Sequence, residues 1–163
     1  MRNDGANRRE AIGLGLLVTV APAVAASVDD AASAEAALRA FLRSFADCDL
    51  AAMESAFAPD ATSFDGLTAS AGGALPERTG LKRAPGMPAG MRRVTERYRQ
   101  DRPGPPYHRP DIIHDLLVQV AGDMALCTFH FDNPDRLGRR TIVLVRRNGA
   151  WRILHIHASN LQL

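Results

Sequence analysis

Cysteine is nearly missing from this chain of 163 residues, with Cys48 and Cys127 the whole supply. Two are too few for the disulfide framework of a small secreted scaffold, although enough for one bridge. Their spacing fits neither a paired-cysteine redox motif nor a zinc site, so two small buried apolar residues is the preferred reading. A dominant charge is also missing. The net charge is +2, and setting aside Arg2, Arg8, Arg9, Asp4 and Glu10 leaves the remainder near neutral. That balance gives nucleic-acid binding no footing. Arg92, Arg93, Arg97, Arg99 and Arg102 do cluster, but acidic residues interleave and no stacking aromatics accompany them, which describes a solvated helix face. The apolar run from Ala11 to Val20 falls short of the about 20 residues that a bilayer-spanning helix needs. Nucleophile elbow, phosphate loop, dinucleotide fingerprint and internal repeat are all lacking.

What is present begins with an export pattern. Arg8 and Arg9 precede that short apolar run, and Ala23-Val24-Ala25 puts small residues where signal peptidase reads. Residues 1–26 are therefore expected to be an export signal, and 27–163 a single domain in the periplasm or outside the cell. With 46% hydrophobic residues the chain can build one well-buried core but not two. The paired arginines resemble a twin-arginine signal, although Ala11 stands where that pattern prefers a large apolar residue, so the general secretory route stays open.

Leu38, Phe41, Leu42 and Phe45 recur at helical spacing between Ser33 and Asp47 and form one apolar stripe. Asp49 can cap a short second helix that Pro59 stops. A brief extended segment near 61–65 follows. Gly66 to Gly90 is rich in Gly, Ala and Pro and reads as a long loop, either a lid or a disordered insertion. Met91, Val94 and Tyr98 restore helical spacing until Asp101, before Pro103, Pro105 and Pro106. Four strand-like runs then follow, at 112–120, 124–132, 139–147 and 151–159. Gly122-Asp123 and Asn148-Gly149 supply turns, the latter suited to the positive φ angles of a two-residue hairpin. Helices first and an antiparallel meander afterwards predict an α+β domain with the helices on one face of the sheet.

This order, with Phe57-Ala58-Pro59-Asp60-Ala61 and with Asn148-Gly149-Ala150-Trp151-Arg152-Ile153 leading into His155-Ile156-His157-Ala158-Ser159, resembles the nuclear transport factor 2-like superfamily, especially its SnoaL-like bacterial members. The resemblance covers roughly 31–161, and the ending is also similar to that of the association domain of calcium/calmodulin-dependent kinase. It implies a cone in which a strongly curved antiparallel sheet wraps around the N-terminal helices, leaving an apolar pocket open at one end. It also implies a homodimer formed through the sheet. Isomerases, polyketide cyclases, epoxide hydrolases and members without known reaction share that fold, so membership does not choose a chemistry. The Tyr-and-two-acids set of a steroid-type isomerase and the Asp-Arg-Asp set of the epoxide hydrolases cannot be assigned here.

Candidate site residues come from strand parity. A two-residue bend at Asn148-Gly149 pairs Leu144 with Ile153, Ile142 with His155 and Arg140 with His157. Trp151, Ile153, His155 and His157 then share a face, which Cys127, Phe129 and Phe131 join if Asp132 pairs with Arg139. A one-residue slip there would bring His130 and Asp132 instead. The expected site is an aromatic hollow lined by Trp151, Phe129, Phe131, Tyr98 and His130, with His157, His155 and Asp132 as catalytic candidates. In it the histidines anchor a small apolar ligand, or one of them moves a proton beside a carbonyl while Asp132 orients it. Asp60 reads as a turn cap and Asp65 as part of a turn. His155-x-His157 has the spacing of two metal ligands, but His130, Asp132 and His114 offer no fixed third, so neither metal nor cofactor is expected.

Overall fold

The computed structural model describes residues 28–63, 86–110, 112–133 and 136–162. The expected export signal and most of the 66–90 loop lie outside the described residues. Helix α1 (Val28–Ala46) buries the stripe Ala34, Leu38, Phe41 and Leu42, and Asp29 and Asp30 sit in its first turn, where the helix dipole favours acids. Asp49 caps α2 (Leu50–Ser55) by accepting from the Ala52 amide at 3.1 Å. Helix α3 (Ala89–Asp101) starts two residues earlier than its apolar spacing suggests, directly after Pro88. Its Thr95 is fully buried and its Oγ1 approaches the Met53 sulfur at 3.8 Å, which locks α3 onto α2.

Five strands follow the order β1-β5-β4-β3-β2. They are β1 (Phe57–Ser63), β2 (His114–Ala121), β3 (Met124–Asn133), β4 (Arg136–Arg147) and β5 (Ala150–Gln162). The last four form the expected antiparallel meander. β1 begins earlier than the brief extended segment anticipated from the sequence and lies parallel to β5, so the sheet is mixed. Pro59 is tolerated because β1 is an edge strand.

Helix α1 packs against one face of this sheet. The core between them joins Leu38, Phe41 and Met53 to Cys127, Ile142 and Ile153. Both cysteines are free and buried, Cys127 beside Ile142 in the β3–β4 ladder. Two polar ties close the far end: Trp151 Nε1 donates to Ser33 Oγ at 2.8 Å, and Arg146, whose guanidinium lies 4.4 Å from the Trp151 ring centre, pairs with Asp30. Asp60 is not a turn cap but a member of β1, paired through both carboxylate oxygens with Arg147 at 2.6 and 2.9 Å.

Asn148 and Gly149 have φ of 53° and 76°, and Arg147 pairs with Ala150, so the hairpin turns as expected. Leu144 also faces Ile153. Beyond that pair the expected register fails. Val143 pairs with His155 and Ile142 with Ile156, so Leu154 is an extra residue bulged out of β5. One extra residue inverts the alternation. Ile156, 7% exposed, therefore joins Trp151 and Ile153 on the core side, while His155 and His157 turn to the opposite face. Arg140 pairs with Ala158 rather than His157. The β3–β4 connection is tighter than expected, Asp132 pairing with Leu137 instead of Arg139, but this two-residue change preserves parity. Cys127 and Phe129 accordingly keep to the core side with Ile142.

Candidate functional site

At the end of the domain away from Trp151, a cavity of about 600 Å³ opens between α3, the segment following it and the ends of β3, β4 and β5. Phe45, Val94, Tyr98, Ile112 and Phe131 supply its apolar walls. The segment after α3 is held there by the last carbonyls of α1, which lack helical partners. The Tyr107 amide donates to Ala46 O at 2.8 Å, and His108 Nε2 donates to Phe45 O at 2.7 Å. The His108 ring packs edge-on to Phe45 at 4.4 Å and tilts against Tyr98 at 4.9 Å. Arg102 lies over the Tyr98 ring, 3.9 Å from its centre, and donates to Tyr107 O. Three aromatic rings and a guanidinium thus form one stacked wall.

The opposite wall belongs to the sheet. Phe131 stands edge-on to buried Phe129, with ring centres 5.3 Å apart. Arg140, on the neighbouring strand, folds back so that its guanidinium lies 5.0 Å from the Phe131 ring centre. Its Nη1 donates to Ser159 O at 2.9 Å and to Arg139 O at 2.8 Å, and Asn160 Oδ1 lies 3.4 and 3.5 Å from Nη1 and Nη2. Gly138 gives it the space. A Cβ at that position would stand 3.3 Å from both Arg140 Nη1 and Phe131 Cβ. Burial, and then the nearby charge of Arg136, pull the Arg140 pKa below its ordinary value. An arginine nevertheless stays cationic at any physiological pH.

Of the residues singled out from the sequence, Tyr98, Phe131 and Asp132 line this cavity, whereas the other candidates are elsewhere. Phe129 is buried beneath Phe131. Trp151 belongs to a separate cleft of about 240 Å³ beside α1 and α2. His155 Nδ1 is hydrogen-bonded to Thr62 Oγ1 at 2.8 Å where β5 meets β1, and His157 is exposed opposite Thr141. His130 Nδ1 faces Asp115 Oδ2 at 3.1 Å across β2 and β3. The histidine beside Asp132 is instead His114, its Nε2 3.3 Å from Asp132 Oδ2, at the cavity edge. A bulge brings it there. His114 pairs with His130 and Leu117 with Thr128, leaving Asp115 and Leu116 opposite one residue, and Asp115 takes φ 53°.

Arg102, His108, Arg109, Arg136 and Arg140 are cavity residues that the sequence reading did not select. For Arg140 a signal existed: any register that places Phe129 and Phe131 with Ile142 also places Arg140 on their face. Among the described residues, no three histidine, cysteine or acidic side chains gather closely enough to hold a metal.

The family model for the SnoaL-like domain matches residues 87–162, the part that contributes α3, the meander and most of the cavity. No curated protein matches the sequence. Solved structures match the fold at low identity. A protein of unknown function of the DUF3225 family from Pectobacterium atrosepticum is 18% identical with a TM-score of 0.57, over 83% of this chain and 94% of that one. A nuclear transport factor 2-like protein of unknown function from Pseudomonas putida is 20% identical with a TM-score of 0.56, over 82% and 87%. The calcium/calmodulin-dependent kinase II hub homology domain of Chlamydamonas reinhardtii is 19% identical with a TM-score of 0.50, over 81% and 98%. Helices laid into a curled five-stranded mixed sheet give this chain the nuclear transport factor 2-like fold, and its residues 87–162 match the SnoaL-like domain.

Proposed function

We propose that the protein is an exported pocket protein that binds a small molecule with an apolar or aromatic body and does little or no chemistry on it. The observation that carries this is the 600 Å³ cavity, a volume typical of small-molecule sites, with Phe45, Tyr98 and Phe131 as apolar walls among several polar groups. Val94 supplies the test, because it lines the cavity from a surface-accessible helix face. Val94→Trp fills the space and should weaken binding of the uncharged fluorophore N-phenylnaphthylamine by at least about tenfold, with little change in melting temperature. Equal fluorescence enhancement in both proteins removes the cavity as the binding site.

A catalytic reading rests on a different observation, the His114–Asp132 pair at the cavity edge. There a carboxylate orients an imidazole in reach of a bound carbonyl compound, as proton transfer without a cofactor requires. On this reading the wild type speeds deuterium uptake beside the carbonyl of phenylacetone in heavy water, and His114→Gln slows it by about 10²–10⁴-fold. Equal rates would end it. Export and a homodimer formed through the sheet complete the proposal. Export is supported by the Arg8-Arg9 and Ala23-Val24-Ala25 pattern, and a mature N-terminus near Ala26 in exported material checks it.

A further inference from the structure

Resting on the pocket reading above, we infer that the ligand is an organic carboxylate, with its carboxylate group held by Arg140 and its apolar body lying between Phe131 and Tyr98.

Placing a guanidinium partly inside a protein is unfavourable unless an opposite charge accompanies it. Arg140 has no carboxylate beside it among the described residues. Its polar contacts are two backbone carbonyls and the amide oxygen of Asn160. Both carbonyl contacts engage Nη1, which leaves Nη2 with only the 3.5 Å contact to Asn160. The charge acting on it is another cation, Arg136, which also lines the cavity. A structural arginine would be oriented toward an acid or toward water. This one is tethered by Nη1 and laid over an aromatic ring at a cavity wall, and a residue without a side chain, Gly138, keeps the place open.

The ligand chemistry follows from the fork geometry. A planar guanidinium matches a carboxylate through two parallel N–H donors, and such pairing is stronger than neutral hydrogen bonding. Phe131 below the guanidinium and Tyr98 across the cavity accept a flat apolar body. Arg102, Arg109, Arg136 and Arg140 against the single Asp132 make the lining net positive, which favours an anion over an uncharged ligand.

Calorimetric titration of the full chain with cinnamate, cinnamamide and phenyl phosphate tests this, alongside the N-phenylnaphthylamine assay. Cinnamate should bind at least about tenfold more tightly than its uncharged amide, as a charge-assisted contact requires. Arg140→Gln should bring that ratio close to one, Arg140→Lys should keep part of it, and the exposed-helix control Arg93→Gln should leave it unchanged. Circular dichroism identifies any variant that fails to fold. Should Arg140→Gln fail, Gly138→Ala shifts the guanidinium by a few tenths of an ångström through its Cβ and should lower cinnamate affinity selectively. Three results overturn the inference: equal affinity for acid and amide, a preference that survives displacement of Arg140, or phenyl phosphate binding more tightly than cinnamate. In each, entry of N-phenylnaphthylamine leaves the pocket reading standing. Exclusion of every probe, the fluorophore included, overturns both.

Discussion

Cys127 has no exposed surface, and burial pushes its thiol up to about 11, from 9.0 in an open chain. The folded state therefore holds this proton more tightly than the unfolded state. Its contribution is complete below about pH 9 and is lost as pH rises toward 11, by roughly 2 kcal/mol at the upper end. Urea unfolding at pH 8 and pH 10.5 should show a smaller loss of stability in Cys127→Ala than in the wild type, by about 1–2 kcal/mol. Identical losses would mean that the thiol titrates as in an open chain. Asp60 has the opposite sign: its hydrogen bonds from Arg147 hold its carboxyl below the usual range, so its contribution is present at neutral pH and fades on acidification. Residue-level reading of the sequence succeeded where parity alone decides, as for Cys127, Phe129 and Phe131. It did not anticipate Asp60, because Arg147 lies 87 positions away in sequence and local turn chemistry offered a sufficient alternative.

At the scale of elements, one bulged residue moved the candidate site. Ile153, Leu154 and Ile156 put apolar side chains on both parities of β5, so the hydrophobic pattern accommodates either the regular strand or the bulged one. Only pairing with β4 distinguishes them, and the pairing places Leu154 outside the ladder. The hairpin itself was legible because Asn148-Gly149 encodes its turn locally. β1 was only partly legible, since its parallel partner lies at the far end of the chain and Pro59 argues against a strand. The cavity wall built by the segment after α3 was not legible at all: its anchors are backbone carbonyls at the end of α1, which carry no side-chain signature. The bulge makes a pairwise prediction. Ile156→Ala should destabilise the protein by roughly 2–4 kcal/mol, as for a buried aliphatic side chain, and His157→Ala by less than about 0.5. Reversal of that order in chemical denaturation would restore the regular register and with it the inward histidines.

For the whole molecule, among the described residues the helices cover one face of the sheet and leave the other to be explained. By register, Leu126, Val143 and His155 lie in one row of that outer face, and Leu117, Thr128, Thr141 and His157 in the next. Leu117 is 52% exposed and Met124 45%, high values for large apolar residues. Apolar and small polar side chains on a broad strand surface suit a second copy of the same surface, which a two-fold axis presents automatically. A stable pair of this kind hides about 800 Å² on each partner. Because core-facing Phe131 and Arg140 wall the cavity, assembly and the proposed ligand binding should be separable. Light scattering should give the folded domain about twice its chain mass, and Val143→Lys should convert it to a monomer by placing two like charges near the axis. That monomer should still take up N-phenylnaphthylamine, with affinity within about threefold of the wild type. A wild type that stays monomeric at tens of micromolar would refute the sheet-to-sheet dimer. A lysine variant that loses the dimer and the fluorophore together would mean instead that the cavity depends on the partner for its shape.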